Sequence, residues 1–232
     1  MKVSGDVRRP RRLRPKVRRA GRVPSRLGTR GQPEESRASI LKAALAEFAE
    51  HGIAGARTDT IARTARVNKA LLYYYFKDKD SLYEAALDHV FGGLLDRVMP
   101  VLESDLPPRK KMLEYVGTYF DYIAANPQFP RVVQAEWMRS GAKSASMQRV
   151  AREYFRPIFK KVSGILRDGI AAGEFRPVNP MDFLPSVVAV IVFYFGAAPL
   201  MKTLLKVDPL SPQRIRERRA FVLDFISAAL FR

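Results

Sequence analysis

The sequence predicts an all-α fold, and three observations support this prediction. From residue 34 to residue 231, apolar side chains recur every three or four positions, the spacing that places them on one face of a helix. No stretch shows the sustained alternation of apolar and polar residues that indicates a half-buried strand. The helical stretches are separated by residues typical of helix breaks, namely Asn126-Pro127, Gly141, Gly173 and Asp208-Pro209.

The first helix is expected over residues 34–51. Ile40, Ala44 and Phe48 are four residues apart, so they form an apolar stripe that faces a core. Gly52 follows and is expected to end this helix, because glycine readily leaves the helical conformation.

Residues 58–79 predict two short helices joined by a tight turn, followed by the start of a longer helix. Thr58 is expected to cap the first short helix, because its hydroxyl can accept a hydrogen bond from a free amide of the first turn. The turn occupies residues 66–68, and Asn68 is expected to cap the second short helix.

The second short helix has a core-facing side and an unusual outer side. Leu72 and Phe76, four residues apart, point inward. The outer side carries one lysine, one small residue and two tyrosines: Lys69, Ala70, Tyr73 and Tyr74. Lysine pairs with phosphate or a guanine edge, tyrosine hydroxyls donate to phosphate oxygens, and ring carbons contact thymine methyl groups. This outer side therefore predicts contact with a DNA groove.

Several fixed spacings in this region match one known family at the same time. The matching residues are Thr58, Ile61-Ala62, Ala65, Val67, Leu72-Tyr73, Tyr75-Phe76, Lys79 and Leu82. Through them the sequence resembles the tetracycline-repressor (TetR) family of transcriptional regulators. The resemblance implies that phosphates are held by Thr58, Tyr73, Tyr75 and Lys79. It also implies that bases are approached by Lys69, Ala70, Leu71 and Tyr74, and Arg66 and Asn68 complete the predicted DNA-binding set.

Arg66 departs from the family pattern. The family usually has glycine at this turn position, which tends to need a positive φ. A residue other than glycine costs about 1 kcal/mol in that conformation. A phosphate contact by the guanidinium would be the compensating gain.

A longer helix is expected from its cap, Asp78, to about Met99, and it links the DNA-binding unit to the remainder. Further helices are expected over residues 108–125, 127–139, 146–172, 181–202 and 210–231. The predicted organisation is a basic arm over residues 1–33, a helix-turn-helix domain over 34–80, and a helical effector-binding and dimerisation domain over 81–232.

The second half is rich in aromatic residues, whose spacing alone indicates nothing more than a core. The resemblance implies a ligand cavity and a dimer-forming pair of helices in this part of the chain. The residues expected in the cavity wall are Tyr119, Phe120, Trp137 and Met138. The residues expected in the dimer interface are Phe193, Phe221, Leu223, Phe225 and Leu230.

Residues 183–201 contain no charged side chain and resemble a membrane span in composition. A span needs about 20 apolar residues, and this stretch is interrupted by Pro185, Ser186, Gly196 and Pro199. We therefore expect a buried helix, partly at a subunit interface, and no membrane partner.

The formal net charge of +18 favours a polyanionic partner. Residues 1–33 hold twelve Lys/Arg and one acid, Asp6, so they carry +11 of this charge. Four prolines and few apolar residues predict disorder there. Two interpretations stay open: an arm that lies along the phosphate backbone or in a minor groove, and a passive solvated tail.

The sequence gives little support for an enzyme. The two histidines, His51 and His89, have no metal-ligand spacing, and no phosphate loop, dinucleotide fingerprint or serine-elbow motif is present. Cysteine is absent, which fits a reducing compartment such as the cytoplasm. No cofactor and no metal are expected.

The favoured interpretation is a homodimeric, ligand-responsive transcriptional regulator, most simply a repressor. It binds a palindromic operator in double-stranded DNA and responds to a small-molecule effector. One alternative is an architectural DNA-binding protein with little sequence preference, driven by the basic arm. Another is an amphiphile-binding or membrane-surface protein that uses the arm and residues 183–201. Salt-dependent binding to random DNA without a preferred sequence would favour the first alternative, and binding to vesicles without DNA binding would favour the second.

Overall fold

The structure, a computed structural model, describes residues 33–140 and 145–232, and it describes only the backbone of residues 135–140. Within these ranges the chain is helical and contains no strand, which confirms the predicted all-α class. The predicted arm over residues 1–33 lies outside the described residues except for Pro33, which begins the first helix.

The elements follow one another along the chain with short connections. They are α1 Pro33–Gly55, α2 Thr58–Thr64, α3 Lys69–Tyr75, α4 Lys79–Glu103, α5 Pro108–Ala125, α6 Phe129–Ser140, α7 Ala145–Val150, a π-helical turn Ala151–Phe155, α8 Arg156–Ala171, α9 Pro180–Gly196, α10 Ala198–Leu205 and α11 Pro212–Leu230.

Helices α1, α2 and α3 form a small unit in which α2 contacts both α1 and α3, and α1 packs against α4. Ile40 and Phe48 of α1 are buried together with Ile61 of α2 and Leu72 of α3. Gly52 has a φ of +61°, so α1 is broken there and makes one further turn to Gly55. The break at Gly52 is the end that the sequence predicts for the first helix.

Helix α4 is longer than predicted because it continues through Pro100 to Glu103. A proline inside a helix removes one hydrogen bond and costs about 3 kcal/mol. Val98 and Leu102 lie on either side of Pro100 along the chain, and both are buried. Their packing holds the last turn of α4 in place despite the proline.

The second half of the chain packs around α4 and α5. Helix α8 contacts both of these helices, and α9 and α11 contact α5. The predicted helix over residues 181–202 is two helices, α9 and α10, which meet at an angle of 59°. Pro199 explains the break, because its ring lacks an N–H and clashes with the carbonyl four residues earlier.

No single helix among the described residues is long and apolar enough to cross a membrane, although the bent pair of α9 and α10 passes a test of length and composition together. Within α9, Phe183, Val187 and Ile191 are buried inside the chain.

Candidate nucleic-acid interface and ligand cavity

The turn between α2 and α3 is fixed by three local features. Arg66 has a φ of +57°, so it adopts the left-handed conformation expected for this position. The amide of Val67 donates to the carbonyl of Ala62 at 3.0 Å. Asn68 caps α3, because its Oδ1 accepts a hydrogen bond from the amide of Leu71 at 2.7 Å. The predicted cap of α3 is confirmed, and the turn presents one side of α3 to solvent.

Helix α3 shows a continuous exposed face. Tyr74 is 80% exposed and Tyr73 is 41% exposed, which is unusual for aromatic side chains. Lys69 and Ala70 are exposed beside them, one turn earlier on the same face. We call these four residues, Lys69, Ala70, Tyr73 and Tyr74, the recognition face.

Leu71 and Tyr75 lie at the edges of the recognition face. Both are half-buried. The ring of Tyr75 packs edge-on against that of Tyr74, with 5.3 Å between centroids and an interplanar angle of 79°. Tyr75 therefore contacts the ring of Tyr74 on one side, and its own ring is less exposed than that of Tyr74.

Thr58 does not cap α2. It is the first residue of that helix, and the capping position is Arg57, whose side chain makes no capping hydrogen bond. Instead, the hydroxyls of Thr58 and Tyr73 lie 3.2 Å apart and share a hydrogen bond. The start of α2 is thus tied to α3, and the two hydroxyls predicted to hold phosphates are adjacent.

An acid lies next to the predicted base-contacting lysine. The Nζ of Lys69 is 2.8 Å from the Oδ1 of Asp59, and both side chains are largely exposed. The hydrogen bond that Lys69 donates to Asp59 raises the pKa of Lys69 above its ordinary value. Asp59 therefore neutralises a charge of the recognition face in the free protein and competes with DNA for Lys69.

Replacement of Asp59 by asparagine is expected to raise affinity for random DNA about two- to five-fold, because a negative charge is removed and Lys69 is released. Fluorescence anisotropy with a labelled random duplex measures this change. Asp105→Asn is the control, since it makes the same charge change in the loop between α4 and α5. Equal gains in both variants would show that only net charge matters.

Lys79 faces the end of α1. Its Nζ donates to the carbonyl oxygens of Ala54 and Ala56, both at 3.3 Å, and the side chain is half-buried. These bonds join the start of α4 to the three-helix unit. The ammonium carries three N–H donors, so a phosphate contact would use the third without breaking either of these bonds.

The cap of α4 is confirmed as Asp78. Its carboxylate accepts from the amide of Ser81 at 2.7 Å, while the hydroxyl of Ser81 accepts from the amide of Asp78 at 3.1 Å. The hydrogen bonds from Ser81 lower the pKa of Asp78. The stabilisation from this cap is therefore present above the ordinary pKa of an aspartate and is lost as the pH falls through the lowered value.

The φ of Arg66 leads to a stability prediction. Arg66→Gly is expected to be more stable than Arg66→Ala by about 1 kcal/mol, because only glycine adopts this conformation without strain. Urea unfolding of both variants measures the difference. Both lose the guanidinium, so any phosphate contact by Arg66 should disappear equally from the salt dependence of their DNA binding. Equal stability of the two variants would contradict the strain.

Helix α4 is attached to the second half of the chain by a group of charged and aromatic residues. Arg149 donates to Glu84 and to Asp88, both on α4, and to Glu153 at 3.3 Å. Burial alone would lower the pKa of Arg149, but its hydrogen bonds with Asp88 and Glu84 outweigh burial and raise it. Tyr154 in the π-helical turn donates to Asp88 at 2.9 Å. The π-helical turn is therefore bound to the helix that leads to the recognition face.

An open cavity of about 1240 Å³ lies between α4, α5, α6, α8 and α9. Its wall is mainly apolar and includes Leu94, Tyr115, Tyr119, Phe155, Arg156 and Met181. Of the predicted wall residues, Tyr119 is present. Phe120 is not, because it is fully buried in the core, where its ring lies 5.4 Å from that of Phe195. The side chains of Trp137 and Met138 lie outside the described residues.

The predicted dimer residues divide into two groups. Phe193, Phe221 and Phe225 are 74%, 53% and 46% exposed, and Leu223 is half-buried. Leu230 is fully buried within its own chain, so it offers no surface to a second copy, and this prediction was wrong. Exposed leucines that the sequence analysis missed lie in and beside α10, namely Leu200, Leu204, Leu205 and Leu210.

The geometry defines a helix-turn-helix DNA-binding protein with an attached helical domain. A model of the tetR family of bacterial regulatory proteins matches residues 40–86, and a model of the tetracyclin repressor-like C-terminal domain matches residues 108–226. The chain belongs to the TetR family, and its relatives are transcriptional regulators rather than enzymes.

Individual relatives agree with this assignment. The chain is 33% identical to the HTH-type transcriptional repressor SCO4008 of Streptomyces coelicolor, over 75% of this chain and 84% of the relative. It is 26% identical to the HTH-type transcriptional repressor NicS of Pseudomonas putida, over 87% and 95% of the two chains. The crystal structure of SCO4942 from Streptomyces coelicolor superposes with a TM-score of 0.61 at 27% identity, over 83% of this chain and 97% of that one.

Proposed function

We propose that this protein is a homodimeric, ligand-responsive repressor that binds a palindromic operator in double-stranded DNA. The observation that carries the proposal is the recognition face of α3. It consists of a lysine, an alanine and two exposed tyrosines. These side chains can contact the base edges and phosphates of a DNA groove, and such tyrosines are unusual on a surface that faces only water.

The exposed aromatic residues of α9 and α11 support a dimer. The rings of Phe221 and Phe225 stack with 6.1 Å between centroids, and both are about half exposed. Monomeric proteins rarely leave such apolar surface uncovered. A two-fold axis at this surface would pair two recognition faces, and successive half-sites in the major groove are about 34–36 Å apart.

The cavity and α4 support a response to a ligand. Leu94 and Val98 of α4 line the cavity, and the other end of α4 is bonded to the three-helix unit through Lys79. A ligand that binds better to the conformer with misplaced recognition faces shifts the population towards it and releases the operator.

Sedimentation velocity of the full-length chain, with and without an operator duplex, tests the proposal. We expect a dimer in the free protein and a complex of two chains per duplex at physiological salt. A monomer that adds to DNA one chain at a time, in proportion to duplex length, would favour the architectural alternative instead.

A further inference from the structure

The cavity has an exposed mouth and a buried interior. At the mouth, Met181 is 65% exposed and Phe159 is 36% exposed. In the interior, Val98 is fully buried and Tyr115 is 3% exposed. The volume of about 1240 Å³ exceeds the range of about 300–1,000 Å³ that is usual for small-molecule sites. The shape and lining suit a large apolar molecule with one end near solvent.

Polar groups in the described wall are few. Among these residues the only charged side chain is Arg156, and the others with polar side chains are Gln134, Tyr115 and Tyr119. No carboxylate is among them. A cationic ligand would therefore find no counter-charge in the described wall, whereas an anionic ligand would find one guanidinium.

Of the basic residues between positions 149 and 161, only Arg156 and Lys160 form no ion pair with a described residue, and of these two only Arg156 lines the cavity. Arg149, Arg152 and Lys161 each form an ion pair with a carboxylate. Arg156 forms none with any described residue, and its side chain is exposed at the cavity. A planar guanidinium donates two parallel hydrogen bonds to a carboxylate or a phosphate, so an unpaired arginine at an apolar mouth is suited to an acidic group.

Tyr115 and Tyr119 form an uncharged inner wall. Their rings stack with 6.2 Å between centroids and 12° between planes. Burial raises the pKa of both hydroxyls, so both stay neutral at physiological pH. The interior thus accepts an apolar body and provides no site for a second ionised group.

The π-helical turn connects this arginine to α4. Phe155, the last residue of the turn, lines the cavity directly before Arg156, and its ring lies 5.3 Å from that of Phe91 on α4. The preceding residue, Tyr154, donates to Asp88 on α4. Single π-turns are often found at functional sites. A group bound by Arg156 would therefore lie beside the two contacts, Phe155–Phe91 and Tyr154–Asp88, that join the π-helical turn to α4.

We propose that the effector is an amphipathic anion, with a large apolar body in the cavity and one acidic group, a carboxylate or a phosphate, bound by Arg156. This proposal rests on the ligand-responsive function proposed above. In this proposal Arg156 makes the cavity selective for acidic over neutral and cationic head groups.

Isothermal titration calorimetry of the full-length protein tests the head-group choice with three probes of equal chain length, hexadecanoate, hexadecanol and hexadecyltrimethylammonium, each below the concentration at which it forms micelles. Hexadecanoate is expected to bind at least about ten-fold more tightly than the other two. Equal affinity for the acid and the alcohol, or tightest binding of the ammonium through the aromatic side chains, would overturn the proposal.

The variant Arg156→Gln tests whether Arg156 causes the preference for the acidic head group. The variant is expected to bind hexadecanoate about ten-fold more weakly and hexadecanol unchanged, and Arg156→Lys is expected to restore part of the loss. Lys160→Gln, an exposed position on the same helix outside the cavity wall, is the charge-matched control. Equal losses for acid and alcohol in Arg156→Gln would mean that Arg156 only supports the fold, and would overturn its assigned role.

Operator release, followed separately by fluorescence anisotropy, distinguishes the two proposals. If hexadecanoate binds with the expected preference but does not displace DNA, the ligand class stands and the ligand-responsive function fails. If the protein binds its operator and hexadecanoate does not bind, the ligand class fails and DNA binding stands.

Discussion

Lys69→Ala is expected to change which DNA sequences this protein prefers. A lysine that reaches a base edge discriminates between bases by about 5- to 150-fold per half-site, and a dimer uses the contact twice. The preferred operator should therefore lose far more affinity than random DNA. Competition binding of the operator against random duplexes measures the ratio.

The control for Lys69→Ala is Arg63→Ala, which removes one positive charge from an exposed position on α2. It should lower affinity for all sequences by a similar small factor, because Arg63 is exposed on α2 and is not part of the recognition face. If Lys69→Ala behaved in the same way, α3 would hold phosphates rather than read bases.

Replacement of Phe225 by aspartate is expected to dissociate the dimer and with it most operator binding. A buried aromatic anchor contributes about 2–4 kcal/mol to an interface, and two-fold symmetry makes the substitution act twice. The dimer dissociation constant should rise by at least about 100-fold, as measured by sedimentation equilibrium. Phe221→Asp should behave similarly, because the two rings stack.

Leu106→Asp provides the matched control for the dimer variants. Leu106 is 37% exposed in the loop between α4 and α5 and belongs to neither α9 nor α11. It should remain dimeric and bind the operator normally. A monomeric Phe225→Asp that kept full operator affinity would contradict the paired arrangement of recognition faces.

The local features of the DNA-binding unit could be predicted because neighbouring residues determine them. The caps Asn68 and Asp78 need only a side-chain oxygen and an amide three residues later. The inward positions of Leu72 and Phe76 follow from helical spacing. The left-handed conformation of Arg66 was expected because the TetR family usually has glycine at this turn position.

Other features depend on residues that are distant in sequence. The pairs Lys69–Asp59 and Thr58–Tyr73 form only when α2 and α3 meet at their actual angle. Lys79 reaches the carbonyls at the end of α1, more than 20 positions earlier. Such pairs have no characteristic spacing in the sequence. The sequence therefore predicted a DNA-contacting surface but not the hydrogen bonds and ion pairs within it.

In the second half of the chain, too, sequence spacing did not predict features that depend on the packing of several helices. One continuous helix was predicted over residues 146–172, but residues 151–155 form a π-turn. Such a turn adds only one residue to a helical turn, which a periodicity judged over the whole segment does not resolve. Phe120 and Leu230 are apolar residues on predicted helices, and only the packing of several helices shows that both are core rather than surface.

Selection of bound sequences from a random DNA pool, with the full-length protein at physiological salt, tests the central claim most directly. The paired recognition faces predict enrichment of one palindromic motif whose two half-sites are about one helical turn apart or a multiple of it. A pool that is bound but not enriched would contradict the claim, because binding would then depend on charge alone.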